Sequence, residues 1–225
     1  MNNNSDDKDV KLALETLPIG AYACNCSIIY SKKTREAIII DPGNDHHTLL
    51  KKINELNITV KKLIHTHAHF DHIGRSNEIR EKTGATIHLH KDDQFLYDQL
   101  PMQGRFFGET VGTPGPIDHY ITDGEEFHFA DDEIKTFLKT IHTPGHTPGS
   151  CCFYSNYFST PLLFAGDTLF QNSIGRTDLP GGDARKILQS IKERLFVLPD
   201  ETAVITGHGP MTKIYNEKRY NPFLS

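Results

Sequence analysis

The chain has 225 residues and a mass of 25.4 kDa, enough to bury a sizeable core, and its 37% apolar and 24% charged residues exclude extended disorder. Its formal charge is -5, and the lysines stand in separated pairs (Lys32-Lys33, Lys51-Lys52, Lys61-Lys62) with no basic stripe, which excludes nucleic acid as a partner. The longest apolar runs, such as 37–40 and 161–165, fall far short of a bilayer span, and the polar residues 1–8 are no signal peptide, so the reading is a cytoplasmic protein with no membrane partner.

A polar tail over residues 1–9 precedes a single expected domain over 10–225. Short β-type runs at 12–17, 21–30 and 36–40, each closed by turn residues, predict opening strands. Helical spacing follows at 46–56, a buried strand at 60–64, a helix at 73–83 ended by Gly84, and a strand at 86–89. Residues 91–116 begin like a helix and then break into Gly104, Gly108, Gly112, Pro114, Gly115 and Pro116, which predicts a long loop of the kind that carries function. Strands are expected again at 126–129, 133–141, 150–154 and 162–165, then an amphipathic helix at 184–195 and a strand at 203–205. Two β-rich halves, each with helices, predict two sheets packed face to face under outer helices, an α/β fold with the layers αββα.

The four cysteines come as Cys24-x-Cys26 and Cys151-Cys152. That spacing suggests no disulfide framework, and strand-like neighbours (Tyr22, Ile28, Phe153) predict reduced, buried thiols without chemistry.

Of thirteen histidines, three share six residues, His67-Ala68-His69-Phe70-Asp71-His72, directly after the strand at 60–64. Neutral imidazole and carboxylate are ligands that zinc, iron(II) and manganese accept, and a strand-to-helix loop can aim several at one point. His67 and His69 share a face in an extended segment, while the turn into a helix redirects Asp71 and His72. One loop can thus serve two ions, with the remaining ligands supplied from elsewhere. Three candidates follow strand-like segments beside glycines that permit tight turns: His146 in Thr143-Pro-Gly-His-Thr-Pro-Gly149, Asp167 in Ala165-Gly-Asp-Thr168, and His208 in Thr206-Gly-His-Gly-Pro210.

This order of motifs, HxHxDH followed by GHTPG, GD and GHG, resembles the metallo-β-lactamase superfamily over nearly the whole chain, whose fold is the four-layer αββα sandwich. The resemblance implies a first metal bound by His67, His69 and His146, a second by Asp71, His72 and His208, and Asp167 bridging both, with Asp71 and Asp167 as the catalytic carboxylates. It also places an aspartate such as Asp41 beneath the HxHxDH loop, where it would orient a ligand histidine; an ordinary turn aspartate is the competing reading. His65, His88, His90, His119, His128 and His142 fall at no ligand position and are read as structural.

Within the superfamily, zinc β-lactamases place a cysteine near the second metal where this chain has Asp167. Flavodiiron oxidases replace the second histidine of the cluster by glutamate, whereas His69 is retained, and the RNA-processing branch needs an inserted domain for which 225 residues leave no room. Gly175-Arg-Thr-Asp-Leu-Pro-Gly-Gly-Asp183, Leu100-Pro-Met-Gln-Gly-Arg-Phe-Phe-Gly108 and Asn221-Pro-Phe-Leu224 resemble the short bacterial glyoxalase II type, without the C-terminal helical domain of the longer enzymes. What this implies is hydrolysis of glutathione thioesters such as S-lactoylglutathione, as in methylglyoxal detoxification, by a metal-bridging hydroxide. The cofactor would be two divalent ions, zinc first, with iron or manganese as alternatives. A rival branch, glutathione persulfide dioxygenase with a single iron(II), also carries a GRTD segment like 175–178. Arg105 in the loop at 100–116 is read as a cation for a glutathione carboxylate, against an internal salt bridge, and Arg176 either meets substrate or pairs with Asp178 to brace its loop.

Overall fold

The computed structural model describes residues 11–129 and 137–224. The tail over 1–9 and the first part of the strand expected over 133–141 lie outside the described residues.

Three antiparallel strands open the chain, β1 (Leu12–Ile19), β2 (Cys24–Ser31) and β3 (Glu36–Ile40). The crossover helix α1 (His46–Leu56) then starts on Asp45, whose carboxylate accepts the Thr48 amide at 3.2 Å, and stops at Asn57 in left-handed backbone (φ 50°). Its buried residues Leu49 and Ile53, one turn apart, face the sheet. Strand β4 (Thr59–Ile64) runs parallel to β3; α2 (Phe70–Ile73) and α3 (Ser76–Thr83) lead to β5 (Thr86–His90), parallel to β4. A 3-10 turn (Lys91–Asp93), α4 (Gln94–Asp98) and α5 (Leu100–Phe107) precede β6 (His119–Ile121), which completes a six-stranded sheet in the order β1 to β6.

The second sheet is built from β7 (Glu126–Phe127), β8 (Leu138–His142), β9 (Cys151–Ser155) and β10 (Leu162–Gly166). After the hairpin β11 (Leu169–Phe170) and β12 (Ser173–Ile174) comes α6 (Ala184–Ser190), which runs on as a π-helical turn (Ile191–Leu195). Strand β13 (Ala203–Thr206) pairs parallel with β10, and β14 (Thr212–Lys213) and α7 (Ile214–Tyr220) follow. The sheet order is β14-β13-β10-β9-β8-β7.

Strand alternation sorts the apolar residues into three layers of core. Ile38, Ile40, Phe153 and Phe164 meet between the sheets, whereas Ile39 and Leu63 turn outward to Leu49 and Ile79 on α1 and α3. Leu163, Ala165 and Val204 turn outward on the other side, to Ile187, Ile191 and Ile214. The protein is therefore the four-layer αββα sandwich expected. Alternation also separates the neighbouring cysteines, with Cys151 between the sheets and Cys152 outside; all four cysteines are buried free thiols. Among the described residues no helix is long and apolar enough to cross a membrane.

Several boundaries differ from expectation. The helix expected over 73–83 is two helices broken at Gly74-Arg75. The loop expected over 91–116 is largely helical as far as Phe107. Gly104 does not break α5: its missing side chain lets the returning chain close in, since a Cβ there would lie 2.7 Å from Glu109 O. Gly108 is the left-handed cap (φ 72°), and Pro101 stands in the first turn, where a proline costs no helical hydrogen bond.

Candidate metal centre

Parallel pairing of β3 with β4 and of β10 with β13 delivers the carboxyl ends of these strands to one edge of the sandwich. The HxHxDH loop leaves β4, Asp167 leaves β10, the His208 turn leaves β13, and the His146 loop leaves β8. Backbone bonds tie the sheets together there: Cys151 N–H donates to Thr66 O at 2.7 Å, and Asn25 N–H to Gly207 O at 2.8 Å. The Asn25 amide also donates to Thr206 O and Gly209 O, both at 2.9 Å, clamping the His208 turn.

All seven expected side chains converge at this edge. His146 Nε2 lies 2.9 Å from His69 Nδ1 and 3.3 Å from His67 Nε2. Beside them, His208 Nε2 lies 3.1 Å from both His72 Nε2 and Asp71 Oδ2. Asp167 stands between the groups, with Oδ2 3.6 Å from His146 Nε2 and Oδ1 3.3 Å from His72 Nε2.

The outer hydrogen bonds fix which ring nitrogen faces inward. His146 Nδ1–H donates to Arg176 O at 2.8 Å, and His208 Nδ1–H to Tyr22 O at 2.9 Å, since a carbonyl can only accept. His72 Nδ1–H donates to Asp41 Oδ2 at 3.0 Å. Thr66 spends its one hydroxyl proton on the same Asp41 oxygen at 2.7 Å, so it must accept from His67 Nδ1–H at 3.0 Å. One carboxylate thus orients His72 directly and His67 through a hydroxyl.

The inward Nε2 atoms of His67 and His146 therefore present lone pairs to each other at hydrogen-bond distance, an arrangement suited to a cation between them. Asp167 Oδ1 and His69 Nε2 are buried without a hydrogen-bond partner. Burial pushes His67 well below the ordinary imidazole range and His69 to about 3, so both are neutral, the form a metal ion accepts. Burial would raise Asp167, but His72, His146 and His208 hold it far below the usual carboxylate range. Burial would lower His72, but Cys24, Asp167, Asp71 and Asp41 raise it well above its usual value. The residues present fit a pair of divalent cations: His67, His69 and His146 form one set, Asp71, His72 and His208 another, and in each the potential ligand atoms lie within 4.8 Å of one another.

Sequence reasoning missed Asp93. This carboxylate, fully buried, accepts the Ala68 amide at 2.9 Å inside the HxHxDH loop and both the Thr147 hydroxyl (2.8 Å) and the Gly149 amide (2.6 Å) inside the GHTPG loop. It fastens the two histidine loops together, and burial pushes its pKa up to about 6. Tyr22, whose carbonyl holds His208, and Thr66 were also missed. Neither stands in a pattern that signals a role.

The arginines fare differently. Arg176 borders the metal cleft, but both its Nε and Nη2 donate to Asp178 at 2.7 Å, the bracing alternative. Arg105 does not line the metal cleft. Gln99, Met102, Gln103 and Phe106 recur at the spacing of one helix face and line a cavity, whereas Arg105 is not among the lining residues and donates to Pro101 O at 3.3 Å. Of the histidines read as structural, His65 is a satisfied core residue, bonded at 2.8 Å to both His88 O and the Ser76 hydroxyl. His90 and His142 stack face to face at 4.1 Å, outside the cleft.

The metal cleft, of about 270 Å³, is walled by Tyr22, Phe70 and Phe107. These rings pack edge-to-face and stacked, with Phe70 centroids 5.1 Å from both neighbours.

Residues 19–208 match the family model of the metallo-beta-lactamase superfamily. Hydroxyacylglutathione hydrolase GloC of Haemophilus influenzae is 38% identical over 216 residues, 94% of this chain and 98% of that protein. Among solved structures, BLEG-1 B3 metallo-beta-lactamase superimposes with a TM-score of 0.84 at 37% identity, covering 95% of this chain and all of that one. TTHA1623 in a di-iron-bound form does so with 0.83 at 32%, covering 93% of this chain and all of that one.

Proposed function

The chain belongs to the metallo-β-lactamase superfamily, and on that premise we propose that it hydrolyses thioesters, with S-acyl-glutathione as substrate, at two divalent metal ions. The observation that carries this reading is Asp167, whose two oxygens face the two ligand sets separately. Overall similarity to GloC favours a glutathione thioester over other acyl compounds.

We assign His67, His69 and His146 to the first ion, Asp71, His72 and His208 to the second, and Asp167 to both. Such a pair, when bound, lowers the pKa of water toward about 7 and polarises the carbonyl under attack. The chain's own contribution is to hold seven donors in place. Asp41 and Thr66 keep the Nε2 atoms of His72 and His67 turned inward, while the carbonyls of Arg176 and Tyr22 do the same for His146 and His208. Tyr22, Phe70 and Phe107 line one flank with apolar surface, which lowers the local dielectric and strengthens electrostatic contacts inside. A thiolate leaves readily, so the chemistry demands no strong general acid.

Metal-free protein reloaded separately with zinc, iron or manganese tests the reading. The expected result is hydrolysis of S-lactoylglutathione that requires two ions per chain and exceeds turnover of a chromogenic cephalosporin. Full thioesterase activity without metal overturns it. Oxygen consumption with glutathione persulfide at one iron per chain would install the dioxygenase in its place.

A further inference from the structure

A second cavity, of about 300 Å³, opens beside the metal cleft and shares His69, Phe107 and Leu179 with it. Helices α4 and α5 form one wall, through Leu96, Met102, Phe106 and Phe107, and Leu179-Pro180 the other. Its polar residues are mostly committed elsewhere. The Gln103 side chain accepts from Phe70 N–H and donates to the carbonyls of Ala68 and Leu96, and Asp178 is held by Arg176. Among the described residues that line the cavity there is no lysine or arginine, and Arg105 on α5 donates its Nε–H to Pro101 O.

Resting on the thioesterase reading, we infer that this cavity takes the acyl half of the substrate, and that this half is an apolar chain of several carbons. The cavity adjoins His69, of the first ligand set; with the carbonyl held at that set, the thiol half would extend past Asp71 and His208, which line only the other cleft. An anionic or strongly hydrated acyl group would lose water here and find no charge to replace it, whereas each buried methylene gains transfer free energy. Met102 and Phe106 are 60% and 78% exposed, so the wall has apolar surface left to cover.

The test uses metal-loaded protein and one thiol, glutathione, carrying acetyl, butyryl, hexanoyl or lactoyl groups. The expected kcat/KM rises about fourfold per methylene, so that hexanoyl exceeds acetyl by on the order of a hundredfold. Met102→Asp, at an exposed position that the core does not depend on, is expected to bring the hexanoyl-to-acetyl ratio toward one. A parallel series holds acetyl constant and lengthens the thiol. A flat acyl series, or a length dependence that follows the thiol, overturns the inference. Should no thioester be turned over, the functional reading fails by itself, and calorimetry still decides the cavity: hexanoate binding at least tenfold tighter than lactate supports it, and equal binding refutes it.

Discussion

The Asp41 carboxylate touches His72 Nδ1 at 3.0 Å and, with the same oxygen, anchors the hydroxyl that orients His67. One residue at the end of β3, in left-handed backbone (φ 52°), therefore governs a donor in each ligand set. In Asp41→Asn the amide must turn a donor toward the Thr66 amide, the Thr66 hydroxyl or the His72 N–H, all of which need an acceptor. The expected result is about a 10–100-fold loss of metal affinity at both positions, read by chelator competition. Selective loss of one ion would separate the two roles and refute the shared one.

Asp167 tolerates little crowding. A Cβ on Gly207 would overlap Asp167 Oδ1 and come within 3.0 Å of His72 Cε1. Gly207→Ala and Asp167→Ala are both expected to leave a folded protein that retains less than one ion per chain and has lost most activity. Cys152→Ala, on the outer face of the second sheet, is expected to keep both ions. Elemental analysis of the three variants checks this, and full metal content in Asp167→Ala would refute the bridging role.

How much of this was legible depended on sequence distance. His67, His69, Asp71 and His72 stand together because one loop delivers them, and His146, Asp167 and His208 each sit beside glycine in a turn, so the residue pattern exposes them. Asp93 binds partners 25 and 56 residues away, and only the closed fold brings these together. The α5 wall was hidden for another reason: Gly104 and Gly108 read alike in sequence, yet one allows a close approach inside a helix and the other caps it.

Asp93→Ala removes the acceptor of two buried amides and a hydroxyl. Orphaning more than one buried donor costs at least about 2 kcal/mol, or roughly 4–8 °C of melting temperature in a chain of this size. The pH dependence has a definite sign. The folded carboxyl, pushed up to about 6 from 3.8, binds its proton more tightly than the unfolded one. The stability it contributes is fully present below about pH 4 and declines as pH rises through about 6. Denaturant midpoints of the metal-free wild type and variant should therefore differ most at the acid end; a difference that grows with pH would contradict the assignment.

Arg176 and Asp178 give the sharpest test of the glutathione carrier. Their side chains are 54% and 68% exposed, yet the fork is bidentate, and the hydrogen bonds from Arg176 hold Asp178 down at about 2. As long as that pair stands, the described residues that line the cleft offer no free lysine or arginine to a substrate carboxylate. His146 is bonded to the carbonyl of Arg176 and not to its guanidinium, so a side-chain change leaves the imidazole held. Asp178→Ala should release the guanidinium for a bidentate contact and lower KM for glutathione thioesters several-fold at low salt, with kcat little changed, because the gain is in binding remote from the reacting carbonyl. Arg176→Ala should raise that KM or leave it unaltered, with metal content intact. A KM that is indifferent to both changes, for glutathione and for an uncharged thiol carrier alike, would mean that recognition of the carrier lies elsewhere on the protein. Loss of metal in Arg176→Ala would show that the fork is needed to keep the carbonyl on His146.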